Sequence, residues 1–257
     1  MKKIKLLALF FAVFVSVSAQ YQEGDVFEKD GLKATIIHID ENENRALVMT
    51  CPGIDFIMGD DPELAKGGAF KKAAKIYKES YTNIMYGLTG NESKKEAKNK
   101  ANLVKNNVKA LAGKTSNSGK ENMKIVEQYC KDNNLKLEEA FPAFAWAKSL
   151  GKDWFIPGDD EVRIYAELIG AGIGKEKAAR YKDFFDKYIK LNEKLIANGD
   201  IPLPNSIMSS SVSKKGEFYN HLITKTNQYT FKIWYVLYHM PDGFSSKICA
   251  VSYVDLD

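Results

Sequence analysis

The sequence predicts an α+β fold, with strands at both ends of the chain and helices between them. β-type runs at residues 24–49 and 207–255 flank a middle section in which apolar residues recur at helical spacing. We expect the two ends of the chain to meet in one antiparallel sheet with flanking helices. The predicted parts are a signal peptide (1–19), an N-terminal β unit (20–60), a lysine-rich helical insertion (61–119) and a second domain (120–257).

The first nineteen residues have the three regions of a secretory signal peptide. Lysines at positions 2, 3 and 5 precede an apolar run from Leu6 to Val17, and Ala19 is the small residue before the cleavage point. The run is about a dozen residues, shorter than the roughly twenty that span a bilayer. We expect cleavage near Ala19 and a protein that is secreted, periplasmic or held at the cell envelope without a membrane span. A retained anchor is the alternative.

The charge balance argues against a nucleic-acid partner. The sequence has 37 Lys and Arg against 33 Asp and Glu, but three of the lysines belong to the signal peptide, which leaves 34. The mature chain is therefore almost neutral, whereas nucleic-acid binding needs many phosphate-neutralising side chains on one surface.

Cysteine and histidine usage predicts neither a metal nor a cofactor. Cys51, Cys130 and Cys249 are far apart, have no CxxC spacing and are not near the three scattered histidines. The sequence leaves two arrangements open. Either two of the cysteines form a disulfide and the third is free, or the cysteines remain as buried thiols. Acidic clusters at 60–63 and 159–161 are more typical of helix caps than of calcium loops.

The N-terminal β unit comprises a run at 24–27, an alternating run at 32–39 and a third run at 46–49, joined by polar turns. This pattern is typical of a hairpin or meander. Because an isolated hairpin is marginal in water, we expect it to form one edge of a larger sheet.

Two lysine-rich helices are predicted next, at 64–87 and 93–112. We interpret them as an amphipathic pair whose lysines form a solvated face. The alternative is a basic surface for acidic glycans or membrane headgroups. Since the lysines are spread around the second helix without interleaved aromatics, neutralising Lys105, Lys109 and Lys114 is expected to change binding little.

Four helices and four strands complete the chain. The glycine-rich stretch at 170–174 follows a helix and has GxGxG spacing, so it indicates a helix end rather than a dinucleotide-binding loop. We expect Asp159 or Asp160 to cap the N-terminus of the helix at about 160–169, which precedes this glycine-rich stretch. The helices are predicted at about 122–132, 142–150, 160–169 and 175–197, and the strands at 207–212, 217–224, 229–240 and 247–255.

One stretch resembles a known family. Residues 141–162 comprise an apolar helix, then Leu150-Gly151, Trp154-Phe155-Ile156-Pro157 and Glu161-Val162, and they resemble a G-W-x-L-P-x-x-x-E-L segment of exported bacterial domains. Those domains resemble the C-terminal domain of a collagen-like bacterial surface adhesin, in the C-type-lectin-like group. Weaker similarities follow at 207–211, 233–234, 242–243 and 248–254. The order of parts also looks like that of secreted proteins from gut Bacteroidetes. Met208 and Ser252 depart from the family pattern.

The resemblance implies a C-type-lectin-like domain over 120–257, with ligand carried by loops beside the central strands. Leu203 precedes Pro204-Asn205 where a calcium lectin has an acidic or amide residue, and the sequence has no Trp-Asn-Asp strand, so calcium-dependent sugar binding is not expected. We expect the ligand site to lie between Pro202 and His221. The candidate ligand-binding residues are Asn205, Ser209, Ser210, Ser211, Asn220, His221 and Trp234.

The sequence therefore predicts an exported, non-catalytic binding module for a glycan or protein ligand, without a cofactor. One alternative is an envelope-associated structural or interaction protein. Another is a hydrolase that uses one of the three serines with His221 and an acid such as Glu217, although no nucleophile-elbow pattern surrounds the serines.

Overall fold

The computed structural model describes residues 21–29, 31–50, 83–170, 172–173, 179–180, 187–188, 190–191, 193, 204, 206–227, 230–237 and 248–256. The predicted signal peptide, the helix at 64–87 before residue 83 and most of the helix at 175–197 lie outside these residues.

Two sheets organise the described part of the chain. Sheet A is antiparallel with the order β1-β2-β3-β9, and sheet B has the order β4-β8-β7-β6, with β5 also paired to β8. Strand bounds in sheet A are β1 Val26–Lys29, β2 Leu32–Asp40, β3 Arg45–Thr50 and β9 Ala250–Asp255. Strand bounds in sheet B are β4 Gly172–Ile173, β5 Ala179–Arg180, β6 Ser206–Val212, β7 Phe218–Asn227 and β8 Thr230–Leu237.

The pairing of β3 with β9 confirms that strands from both ends of the chain share one antiparallel sheet. The register runs from Arg45 opposite Asp255 to Thr50 opposite Ala250. The N-terminal meander is thus one edge of a larger sheet, as the marginal stability of an isolated hairpin requires. Mixed α+β architecture is confirmed with it.

Five helices are complete in the described residues: α1 Lys94–Ala110, α2 Gly119–Asp132, α3 Leu137–Ala140, α4 Pro142–Ser149 and α5 Asp159–Leu168. A capping box starts α1, because the Ser93 hydroxyl accepts from the Glu96 amide at 3.3 Å and the Glu96 carboxylate accepts from the Ser93 amide at 2.8 Å. Proline at the first turn of α4 confirms the start predicted there.

The cap of α5 corrects one expectation. Gly158, rather than Asp159 or Asp160, is the N-cap residue. The Asp159 carboxylate is instead hydrogen-bonded to two side chains of sheet B, and the amide of Gly158 donates to Glu161 at 2.8 Å. Spacing along the sequence could not distinguish these roles, since both partners of Asp159 lie 50 or more residues away.

One hydrophobic cluster joins sheet A, the helices and sheet B. Its members include Leu47 from β3, Val108 from α1, Phe144 from α4 and Ile207 from β6. A smaller cluster on sheet A contains Phe27, Ala34, Ile36, Ala46 and Val48. Helix α1, which falls in the predicted insertion at 61–119, therefore shares a core with the N-terminal β unit and with the C-terminal strands.

The segment that carries the family resemblance links the two sheets. Phe155 exchanges two backbone hydrogen bonds with Val251 of β9, at 3.0 and 2.8 Å. Two residues later the Pro157 carbonyl accepts from the amide of Ser210 in β6 at 2.7 Å. Trp154 is half-buried and packs against both hydrophobic clusters. This short run therefore fixes the spacing between sheet A and sheet B.

Two of the cysteines, Cys130 and Cys249, lie in the described residues, and Cys51 lies outside them. Cys130 is a free thiol, and burial raises its pKa, which keeps it protonated and unreactive. Cys249 is disulfide-bonded. Within the described ranges, no helix combines the length and the apolar character that crossing a bilayer requires.

Candidate functional site

The three candidate serines lie in an irregular part of β6. Pairing of β6 with β7 shifts register between Met208 and Val212, so the serines are freed from the regular ladder. Their side chains are internal: Ser209 and Ser210 are 0% exposed and Ser211 is 4% exposed. A ligand in solution does not reach these hydroxyl groups in this conformation.

An aspartate joins Ser209 to the candidate histidine. The Ser209 hydroxyl donates to Oδ1 of Asp159 at 2.7 Å, and Nε2 of His221 lies 2.9 Å from the same oxygen. Because an ionised carboxylate only accepts hydrogen bonds, Nε2 carries the proton in this pair. The side chains of Asp159 and His221 are 11% and 2% exposed. Asp159 thus ties the first turn of α5 to β6 and β7.

The hydrogen-bond partners of Asp159 stabilise its ionised carboxylate. Burial raises the pKa of this carboxyl, but hydrogen bonds from His221 and Ser209 outweigh burial, and the pKa lies below its ordinary value. Asp159 is therefore ionised near neutral pH. Its backbone amide also donates to the Ser211 hydroxyl at 3.3 Å.

The loop before α2 seals the other side of the serines. Asn122, fully buried, donates from Nδ2 to the Ser210 hydroxyl and to the Ser116 carbonyl, both at 3.0 Å. The Ser211 hydroxyl donates to the same Ser116 carbonyl at 2.9 Å. Ser210 therefore bonds Asn122 and Ser209 bonds the Asp159 carboxylate, while Ser211 bonds both the Ser116 carbonyl and the Asp159 backbone amide.

A glycine clasp, formed by Gly119, Gly158 and Glu161, closes this region. The amides of Gly119 and Gly158 both donate to Oε2 of Glu161, at 2.9 and 2.8 Å. Burial raises the pKa of the Glu161 carboxyl and outweighs those two backbone hydrogen bonds. The clasp holds the N-terminus of α2 against the N-terminus of α5, and it adjoins Asp159.

The hydrogen bonds of this buried cluster differ from those of a serine hydrolase. In a hydrolase the serine hydroxyl donates to the imidazole that removes its proton. Here the Ser209 hydroxyl donates to the carboxylate of Asp159, and the imidazole of His221 bonds that same carboxylate. In the described part of the chain, no group of three or more His, Cys, Asp and Glu side chains is arranged to hold a metal ion.

The remaining predicted residues have different placements. Asn205 lies outside the described residues, next to Pro204, whose carbonyl accepts a hydrogen bond from the buried hydroxyl of Tyr165. For Asn220 and Trp234 the structure describes the backbone, in β7 and β8. A ligand role for these three side chains stays a prediction.

Sequence reasoning did not anticipate the roles of Asn122 and Asp159. Both lie near the start of a helix, where a polar residue is ordinarily interpreted as a cap. What distinguishes Asn122 and Asp159 from helix caps is that their side chains bond residues 50 to 88 positions away in the sequence.

A pocket of about 300 Å³ lies beyond the C-terminal end of β6, between α1 and the turn that leads into β7. Its apolar floor comes from buried side chains of α1 and β7, and three exposed lysines stand around it. The lining residues are Met85, Tyr86, Val104, Lys105, Asn106, Val108, Lys109, Lys215, Gly216, Glu217 and Phe218. Four of these, Lys215 to Phe218, belong to the stretch between Pro202 and His221 that was predicted to carry ligand.

One wall of this pocket, which we call the α1 pocket, is a tightly bonded turn. The Ser213 hydroxyl accepts from the amides of Lys215 and Glu217 at 3.2 and 3.3 Å, and its carbonyl accepts from Gly216 at 2.9 Å. Gly216 has φ +78°, and a Cβ there would lie 2.5 Å from Cα of Lys109. Glycine is therefore required for the turn to approach α1 this closely.

Comparison with protein-family models, with curated proteins and with solved structures finds no match for this chain. The arrangement of its own residues carries the functional assignment.

Proposed function

We propose that the protein is an exported, non-catalytic, calcium-independent binding module that takes its ligand in the α1 pocket. The observation that carries this proposal is the contrast between the two polar regions. The serines, His221 and Asp159 form their hydrogen bonds with one another, with Asn122 and with the Ser116 carbonyl, inside the protein. The α1 pocket instead presents an apolar floor and several polar groups to solvent, which is the usual character of a small-molecule site.

This proposal changes the expected role of two lysines. Lys105 and Lys109 were interpreted as solvating charge, yet both line the pocket, whereas Lys114 does not. The predicted loop region and the predicted basic surface each supply one wall. The candidate site therefore combines parts of two interpretations that the sequence kept separate.

Export is part of the proposal. The disulfide at Cys249 supports it, because disulfides persist in oxidising compartments outside the cytosol. We expect protein recovered from the envelope, periplasm or medium to begin near Gln20, following the order of charged, apolar and small residues in the first nineteen positions. N-terminal sequencing measures this directly, and a recovered chain that still begins at Met1 would contradict it.

We propose, as the finer assignment, that the domain is C-type-lectin-like and that its ligand is a glycan or a protein. Two features support this: the strands of both chain ends pair in one antiparallel sheet, and the Trp154–Pro157 run connects the sheets. Carboxylate clustering gives no support for calcium among the described residues.

A glycan array with and without a chelator tests binding. We expect binding that survives chelation and is lost in Asn106→Trp, because Asn106 is an exposed residue of α1 that lines the pocket and an indole there fills it. Asn99→Trp is the matched control: it puts the same ring on an exposed position of the same helix, outside the pocket. Binding abolished by the chelator would contradict calcium independence. Equal binding by both variants would remove the α1 pocket as the site.

A further inference from the structure

We infer that the α1 pocket binds a small amphipathic anion, an aromatic or short alkyl group that carries a carboxylate or a sulfate. This inference rests on the proposed function, since it names the ligand class of the same pocket.

The floor of the pocket favours an apolar group on the ligand. Val104 and Val108, one helical turn apart on α1, are 1% and 4% exposed, and Phe218 at the start of β7 is 4% exposed. Together with Met85 they form an aliphatic and aromatic surface. A ligand that covers such a surface removes apolar area from water. A volume of about 300 Å³ is at the lower end of small-molecule sites, which limits the apolar part to a few rings.

The positively charged rim of the α1 pocket favours an anionic ligand group. Lys105 and Lys109 follow each other by one turn on α1, and Lys215 faces them from the turn after β6, against a single acidic lining residue, Glu217. Nζ of Lys105 lies 5.9 Å from the centre of the Tyr86 ring, a cation–π distance that keeps this ammonium at the pocket. Lysines on two separate elements converge on one opening. An anionic group there is favoured by all three charges.

The backbone makes this arrangement rigid before any ligand arrives. Gly216 packs against the backbone and Cβ of Lys109, so the turn that carries Lys215 is held at a fixed distance from α1. Preorganisation of both walls lowers the entropy that binding costs.

Two fluorescent probes separate the apolar and anionic contributions. 1-Anilinonaphthalene-8-sulfonate has the same rings as N-phenyl-1-naphthylamine and adds a sulfonate. We expect the wild-type protein to bind the sulfonate roughly tenfold more tightly at low salt. That preference should disappear near 1 M salt, where the screening length is about 3 Å. Asn106→Trp should weaken both probes, and Asn99→Trp neither.

Charge variants assign the preference to the pocket. The triple change Lys105→Gln, Lys109→Gln and Lys215→Gln should lower affinity for the sulfonate on the order of tenfold and leave the neutral probe unchanged. The control triple Lys95→Gln, Lys98→Gln and Lys114→Gln removes the same net charge from exposed lysines outside the pocket. It should leave both affinities within about twofold. Circular dichroism and thermal unfolding verify that both triples fold.

The outcomes separate this inference from the proposed function. Equal wild-type affinity for the two probes, or an equal loss in both triples, overturns the amphipathic anion. A sulfonate preference that Asn106→Trp leaves intact overturns the assignment to this pocket. If Asn106→Trp abolishes binding to an uncharged array glycan while the probes show no preference, the proposed function stands and the anionic ligand class fails.

Discussion

Replacing Gly158 by alanine is expected to destabilise the protein by about 3 kcal/mol or more. A Cβ at this position would lie 2.0 Å from the carbonyl oxygen of Asn117 and 2.5 Å from the amide nitrogen of Gly119. Both are backbone atoms and cannot rotate away. The N-termini of α2 and α5 would have to separate, which breaks the glycine clasp and leaves buried amides without their Glu161 acceptor.

The cost at Gly158 is steric rather than conformational. Its φ of −89° is accessible to alanine. Gly31→Ala provides the opposite control, because Gly31 has φ +78° and a Cβ added there would meet nothing within 4 Å, so its cost is the conformational one of about 1 kcal/mol. Urea unfolding of both variants gives the comparison. A loss at Gly158 no greater than at Gly31 would mean that the two helix starts are not in close contact.

Much of the fold follows from local patterns in the sequence. Period-two alternation identified β2, and helical spacing placed α1 within two residues of its bounds. Pro142 marked the start of α4. Each of these signals depends only on residues within one or two helical turns along the chain. Such local signals can be read directly from the sequence.

The candidate site depends on distances that no local pattern encodes. Asp159 is equally suited to capping a helix and to pairing with His221, and the choice depends on where β6 and β7 lie relative to α5. The serines were interpreted as ligand contacts, because nothing in the sequence marks the register shift after Met208 that accompanies their burial.

The α1 pocket could not be predicted from the sequence, because it too depends on how separate elements pack together. Val104 and Val108 form the apolar stripe of an amphipathic helix, and a stripe of this kind looks the same whether a neighbouring element covers it fully or leaves a cavity. The gap is set by how closely the turn at Gly216 approaches Lys109. That approach is a property of the assembled fold.

Replacing Asp159 by alanine is expected to cost about 3 kcal/mol at neutral pH, because the change leaves a buried imidazole and the buried Ser209 hydroxyl without their shared acceptor. Asp159→Asn should cost less, about 1 to 2 kcal/mol, since an amide oxygen still accepts a hydrogen bond. Asp160→Ala is the matched control: the neighbouring aspartate is exposed and should change stability by less than about 1 kcal/mol. Equal losses at both positions would mean that charge in the first turn of α5 matters and the buried pair does not.

The contribution of Asp159 should also depend on pH with a defined sign. Its folded pKa lies below the value of about 3.9 for an unfolded aspartate, so the folded state binds fewer protons than the unfolded state in the acid range. The stability it provides is complete above that value and is lost as pH falls toward the folded pKa. Urea unfolding of wild type and Asp159→Asn at pH 7 and near pH 3 tests this. The difference between their unfolding free energies should shrink on acidification, because the variant has no carboxyl at this position to titrate; a constant or growing difference would contradict an ionised Asp159 in the folded core.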